Sequence, residues 1–226
     1  MPLFSFASAS TSLSARLRAN AGWASRFWLS NALLFALLGL AYWPWISVPV
    51  NMPIAGVYLI TAHLGWFGLF ALIALLAQGL LIWLPSSLFR LSGLLLGTFV
   101  AMFLLVDAVV FSQYRFHLNG FVIDLFLHGG DAISLSWVSW LTGGLFVAGL
   151  LIVEGVMGWS AARARAPLRG FPPRRGGYPL IVLCLLVSQT LHAVEDAHHR
   201  PLIPGYSHVF PLYQPITAKR RLQALG

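Results

Sequence analysis

Apolar residues in this chain collect into five long runs, about Phe27 to Ile46, Ala55 to Leu84, Leu91 to Gln113, Ser134 to Trp159 and Tyr178 to Val194. Crossing a hydrocarbon core about 30 Å thick takes ~20 residues of helix, and each run has roughly that length or more. The polar and charged positions fall between the runs. In lipid a spanning segment must satisfy its own backbone hydrogen bonds, and the strict alternation of an outer-membrane strand is absent, so each run predicts a helix. The expected fold class is an all-α membrane protein, a bundle of five transmembrane helices.

Composition sharpens this picture. Of 226 residues, 58% are hydrophobic and 9% charged, with a mean hydropathy of +0.80. A soluble domain carries about 25% charged residues, so an aqueous fold and a disordered chain are both excluded. The first run is too long for the ~7–15-residue apolar core of a secretory signal, and it ends in the aromatics Tyr42, Trp43 and Trp45 around Pro44, which suit an interface. It reads as an uncleaved anchor. Met1 to Ala15, rich in Ser and Ala, predicts disorder, and Ala166 to Gly177 a flexible loop. No internal repeat stands out.

The net charge is +8, which raises nucleic acid as a partner. The positions of the basic residues argue against it, because they flank the apolar runs, where topology and anionic headgroups account for them. Arg16, Arg18 and Arg26 precede the first run, Arg90 lies between the second and third, and Arg163, Arg165, Arg169, Arg174 and Arg175 lie between the fourth and fifth. By the positive-inside rule these segments are cytoplasmic, which puts the N-terminus inside and the C-terminus outside. The expected organisation is a basic cytoplasmic segment over 1–26, five helices over 27–195 and an extracytoplasmic tail over 196–226. The tail then carries Lys219, Arg220 and Arg221 on the side that the rule disfavours.

Two acids lie inside apolar runs. Asp107 is 16 residues along the third, about 24 Å across at 1.5 Å per residue. A carboxylate at that depth implies either a satisfied contact between helices or a functional contact with lipid or partner, and Arg115, two turns farther out, is a poorly aligned candidate for its partner. Glu154, near the cytoplasmic end of the fourth run, is expected to snorkel or meet the arginines that follow. Gly93, Gly97 and Ala101 recur every four positions and suit close packing within the bundle. Trp23, Trp28, Trp43, Trp45, Trp66 and Trp83 read as interface anchors or bundle packing.

Candidate chemistry is sparse. His192, Glu195, Asp196, His198 and His199 form the densest set of potential metal ligands, yet no cysteine or recognised motif joins them, and polar residues are expected where a helix leaves the membrane. No metal or other cofactor is expected. His63, His117 and His128 have no partner at a diagnostic spacing. Cys184 is alone in an apolar run and reads as a small core residue. With no nucleophile elbow, P-loop or paired carboxylates, the chain is not expected to be an enzyme.

In the tail, Pro201, Pro204, Pro211 and Pro215 exclude a long helix over Arg200 to Ile216. Thr217 is then placed to cap a helical stretch whose free N–H groups, with Lys219, Arg220 and Arg221, suit a phosphate, while Tyr206, Phe210 and Tyr213 are expected to settle the tail at the membrane interface.

The third run and its following loop, Asp107-Ala-Val-Val-Phe-Ser-Gln-Tyr-Arg-Phe-His-Leu-Asn119, resemble the transmembrane part of the YejM/PbgA family, as do the tail segments Asp196-Ala197, Arg200-Pro201 and Pro211-Leu-Tyr-Gln-Pro-Ile-Thr-Ala-Lys-Arg220. Members are Gram-negative inner-membrane proteins with five spans and a sulfatase-like periplasmic domain. The resemblance implies a sensor of lipid A in the periplasmic leaflet that restrains the adaptor LapB, which directs the protease FtsH to the committed deacetylase of lipopolysaccharide synthesis. The family's lipid A contact carries over to Thr217, Ala218, Lys219 and Arg220. Arg221 extends the charge where the family pattern has an aromatic. The sulfatase-like domain is not among these 226 residues, which puts in doubt any activity that depends on it. Two other expectations are transport of an anionic phospholipid such as cardiolipin, and a passive anchor for an enzyme domain.

Overall fold

The computed structural model describes residues 6–46, 53–120, 124, 128, 136–164, 173–198, 202–213 and 215. Five helices carry the fold: α1 (Phe6–Gly39), α2 (Pro53–Gly79), α3 (Ser86–Tyr114), α4 (Trp137–Arg163) and α5 (Pro173–Ala197). All five contain a stretch long and apolar enough to cross a membrane, and no strand occurs among the described residues. The chain is a multi-pass membrane protein built from helices.

Local chemistry sets the helix ends. Pro53 and Pro173 open α2 and α5 at the first position, where a missing N–H costs nothing. The Ser136 hydroxyl caps α4 by accepting from the Ser139 N–H at 3.3 Å. At Leu40 α1 tightens into a 3₁₀ turn, Leu40–Trp45, around Pro44, which has no N–H to extend an α-helix. Arg115 closes α3 in the left-handed conformation, φ 62°.

Several boundaries move from the expected ones. α1 starts at Phe6 and runs through Arg26 without a break, so the disorder expected up to Ala15 is replaced by helix from Phe6 onward. Polar Ser and Ala positions there do not stop a helix that the following apolar run already nucleates. The flexible loop expected to reach Gly177 gives way to helix at Pro173.

Small residues position the helices. A Cβ on Gly65 of α2 would sit 2.7 Å from the Leu185 nitrogen of α5, so these two helices cross with their backbones nearly touching. On α3, Gly93 receives the Gln78 amide and the Trp23 ring, Gly97 receives the Glu154 carboxylate, and Ala101 is buried. The small-residue repeat therefore packs inside the bundle. α4 leans on α1 and α3 through Leu150, Glu154, Gly158 and Ala161, whereas Trp137, Trp140, Leu145 and Phe146 stay exposed.

At the end bearing Arg16 and Arg26, buried indoles lock the helices together. The Trp23 ring stacks on Phe27, and its Nε1 donates to the Gly158 carbonyl at 2.8 Å. Trp28 donates to Gln78 Oε1 at 2.6 Å, and Gln78 passes the chain on to the Phe89 carbonyl at 2.7 Å. Arg26 Nε donates to the Ala161 carbonyl and Tyr178 to that of Ser25, each at 2.7 Å. Of these acceptors, the Ala161 carbonyl lies in the last turn of α4, where carbonyls lack an intrahelical donor, and Arg26 of α1 supplies one.

Candidate functional site

At the opposite end of the bundle the tail folds back onto the helices. After α5, a short helical turn (Leu202–Gly205) and a 3₁₀ turn (Ser207–Val209) bring Ile203, Tyr206, Val209, Phe210 and Tyr213 into the core. The prolines keep this stretch short and turned, as expected. The three aromatics were expected at the membrane interface, but they are buried in protein. Phe210 packs edge-on against Phe67 and Tyr213, and Tyr213 against Trp66. A tail with apolar side chains on one face gains more from a protein cleft that excludes water than from a half-wet interface.

Polar contacts fix the position. Trp66 Nε1 donates to the Pro211 carbonyl at 2.7 Å. Tyr58 and Gln189 both donate to the Tyr213 hydroxyl at 3.3 Å. Burial pushes the Tyr213 hydroxyl up, against the pull of its hydrogen bonds to Tyr58 and Ser188, and it stays a neutral phenol. Between these contacts Leu212 takes a positive φ of 56°. A non-glycine residue there costs of order 1–3 kcal/mol and persists only when its surroundings over-determine it.

The tail also meets Asp107. That carboxyl group is fully buried, accepts from Tyr42 Oη at 2.7 Å and from the Leu118 N–H at 2.6 Å, and shares a hydrogen bond with His117 Nδ1 at 2.6 Å. His117 stacks on Phe111 at 4.5 Å and turns its Nε2 to the His208 carbonyl at 2.9 Å. A carbonyl only accepts, so Nε2 carries a hydrogen. Nδ1 meets the same carboxyl group that Tyr42 and Leu118 supply with donors. One hydrogen-bonded unit thus ties the end of α1, the end of α3, the segment after it and the tail.

His63, 20 residues along from Trp43, makes the contrasting case. Its Nδ1 accepts from Trp43 Nε1 at 3.1 Å and its Nε2 donates to the Ala36 carbonyl at 2.8 Å, which is the pattern of a neutral ring.

Of the residues singled out from the sequence, Asp107 is in this cluster and Arg115 is not. The Arg115 guanidinium lies over the Trp45 ring, 3.1 Å from its centroid, because the left-handed turn at Arg115 carries the side chain away from the carboxylate. Tyr42 and His117 take its place, and His117, which shows no partner by spacing, has two. His128 pairs with Asp124, four residues before it, at 2.9 Å, and both side chains are exposed. Thr217, Ala218, Lys219, Arg220 and Arg221 lie outside the described residues, as does His199. His192, Glu195 and Asp196 are buried at the end of α5, and among the described residues no three His, Cys, Asp or Glu side chains gather to hold a metal.

Glu154 departs from expectation. It does not snorkel: nine residues before the end of α4, about 14 Å by helical rise, it is fully buried and accepts from Asn31 Nδ2 of α1 at 3.1 Å. Of the arginines that follow it, Arg163 lies over the Trp159 ring instead.

No curated protein matches the chain. The family model described as a domain of unknown function, DUF3413, matches residues 10–226, nearly the whole length, and the chain belongs to that family.

Proposed function

We propose that this protein is a non-enzymatic sensor of lipid A in the inner membrane of a Gram-negative bacterium. It regulates lipopolysaccharide synthesis through a LapB-like membrane adaptor that governs FtsH proteolysis of the committed deacetylase. The N-terminus is cytoplasmic and the tail periplasmic. Thr217, Ala218, Lys219, Arg220 and Arg221 meet a lipid A phosphate through charge-assisted hydrogen bonds, which a multiply charged headgroup rewards more than a zwitterionic one.

The observation that carries this reading is the stitching of the tail. His208, Pro211 and Tyr213 are held by His117, Trp66, Tyr58 and Gln189 a few residues ahead of the basic segment. A ligand that pulls on Lys219–Arg221 pulls on α2, α3 and α5 at once. A sensor needs this connection, and a flexible tether would lack it. The YejM/PbgA resemblance supports the choice of lipid and adaptor.

Two measurements test the reading. Reversing the charges in K219E/R220E/R221E is expected to strip copurifying lipopolysaccharide, and a variant that retains it in wild-type amount rejects the lipid half. Replacing His117 with Ala is expected to leave lipopolysaccharide bound while weakening adaptor copurification. If both are unchanged, the tail is not the transmitting element.

A further inference from the structure

Glu154 is fully buried among α1, α3 and α4. Its Oε2 accepts from Asn31 Nδ2, and its Oε1 has no hydrogen-bond partner. Asn31 is equally buried, and its Oδ1 has none either. Both orphans belong to the two groups already joined by one hydrogen bond. A Cβ on Gly97 would lie 2.8–3.0 Å from the carboxylate atoms, so the α3 backbone closes the third side.

Charge offers no relief. Facing the carboxyl from α1 is Asn31, which is neutral, and from α3 comes the Gly97 backbone. On α1 below it Arg26 donates to the Ala161 carbonyl, and on α4 itself Arg163 lies over Trp159. The ion pairs of His117 with Asp107 and of His128 with Asp124 do not involve Glu154. An ionised carboxylate held by one amide in a low-dielectric interior is the costly arrangement that proteins avoid by neutralising the group.

We infer that Glu154 is a proton-binding site: it takes one proton from the aqueous phase onto Oε1 and, as a neutral acid, closes a two-bond ring with the Asn31 amide, N–H to Oε2 and O–H to Oδ1. A single proton satisfies both orphaned oxygens. α4 is seated on α1 and α3 only in the protonated form, and loss of the proton leaves an unpaired charge at the contact that holds α4 to the bundle.

The chain has two glutamates, Glu154 and Glu195, so isotope labelling of the glutamate carboxyl carbons isolates them. Infrared spectra of the full chain in lipid vesicles at neutral pH, labelled with [δ-¹³C]glutamate, are expected to show a protonated-carboxyl C=O band that shifts in D₂O, persists in E195Q and disappears in E154Q. A band that E195Q removes, or only carboxylate stretches in the wild type, overturns the inference. E154Q supplies an N–H where the acid supplies O–H and is expected to keep the wild-type melting temperature at neutral pH and exceed it as pH rises. If E154Q fails to fold, the spectrum of E195Q alone decides, because Glu154 is then the single labelled carboxyl.

Discussion

Asp107 and Glu154 are both fully buried, both within apolar helices, and differ in almost everything else. Asp107 lies near a helix end, where the chain turns and offers a phenol, an imidazole and a free backbone N–H. Glu154 lies mid-helix, where every backbone N–H is committed to its own helix and one side-chain amide remains. The first site has partners enough to satisfy a carboxylate. The second can hold only a carboxylic acid. Burial alone therefore does not predict the state of an intramembrane acid; the supply of donors at its depth does.

That contrast can be broken at either site. The largest effect is expected from D107A, which leaves Tyr42, His117 and Leu118 without their acceptor. Breaking one side of a buried pair costs about 3–5 kcal/mol, read as lost stability in denaturant titration of the detergent-solubilised chain. Y42F removes one donor and is expected to cost about 1.5–3 kcal/mol, the range for hydrogen bonds to charged groups. If Y42F is neutral, Asp107 does not depend on its phenol and the junction is weaker than its geometry. R115A is expected to cost about 0.5–1 kcal/mol, from its contact with the Trp45 ring. In a double-mutant cycle with D107A it is expected to couple by less than about 0.5 kcal/mol. Strong coupling would restore Arg115 as the partner of Asp107. E154Q is the smallest, within about 0.5 kcal/mol at neutral pH, because an amide replaces the acid in the same ring. The contrast fails if E154Q costs as much as D107A.

Much of the fold was legible because lipid imposes one rule on every span. The five runs became five helices, and the small-residue repeat on α3 packed inward as its spacing suggested. The site was only half legible. Asp107 announced itself as an acid in an apolar run, but Tyr42 comes from a turn 65 residues away and His117 from beyond the left-handed break at Arg115, where helical spacing no longer applies. A usable signal did exist. A tyrosine in an apolar run that ends in a proline turn needs a partner for its hydroxyl if the turn is buried, and the nearest acid in the third run supplies one. The tail aromatics misled because an interface and a protein cleft reward the same side chains. For Glu154, counting arginines by sequence distance overlooked that α4 continues past Trp159 and that Asn31 waits on α1.

The uneven seating of α4 has a mechanical consequence. Its indole pair at Trp137 and Trp140 is exposed, while its grip on the bundle begins at Leu150. Helices in a bilayer gain no hydrophobic reward for docking, and aromatic anchors follow the headgroup level. A change in hydrocarbon thickness is therefore expected to alter the tilt of α4 more before Leu150 than after it.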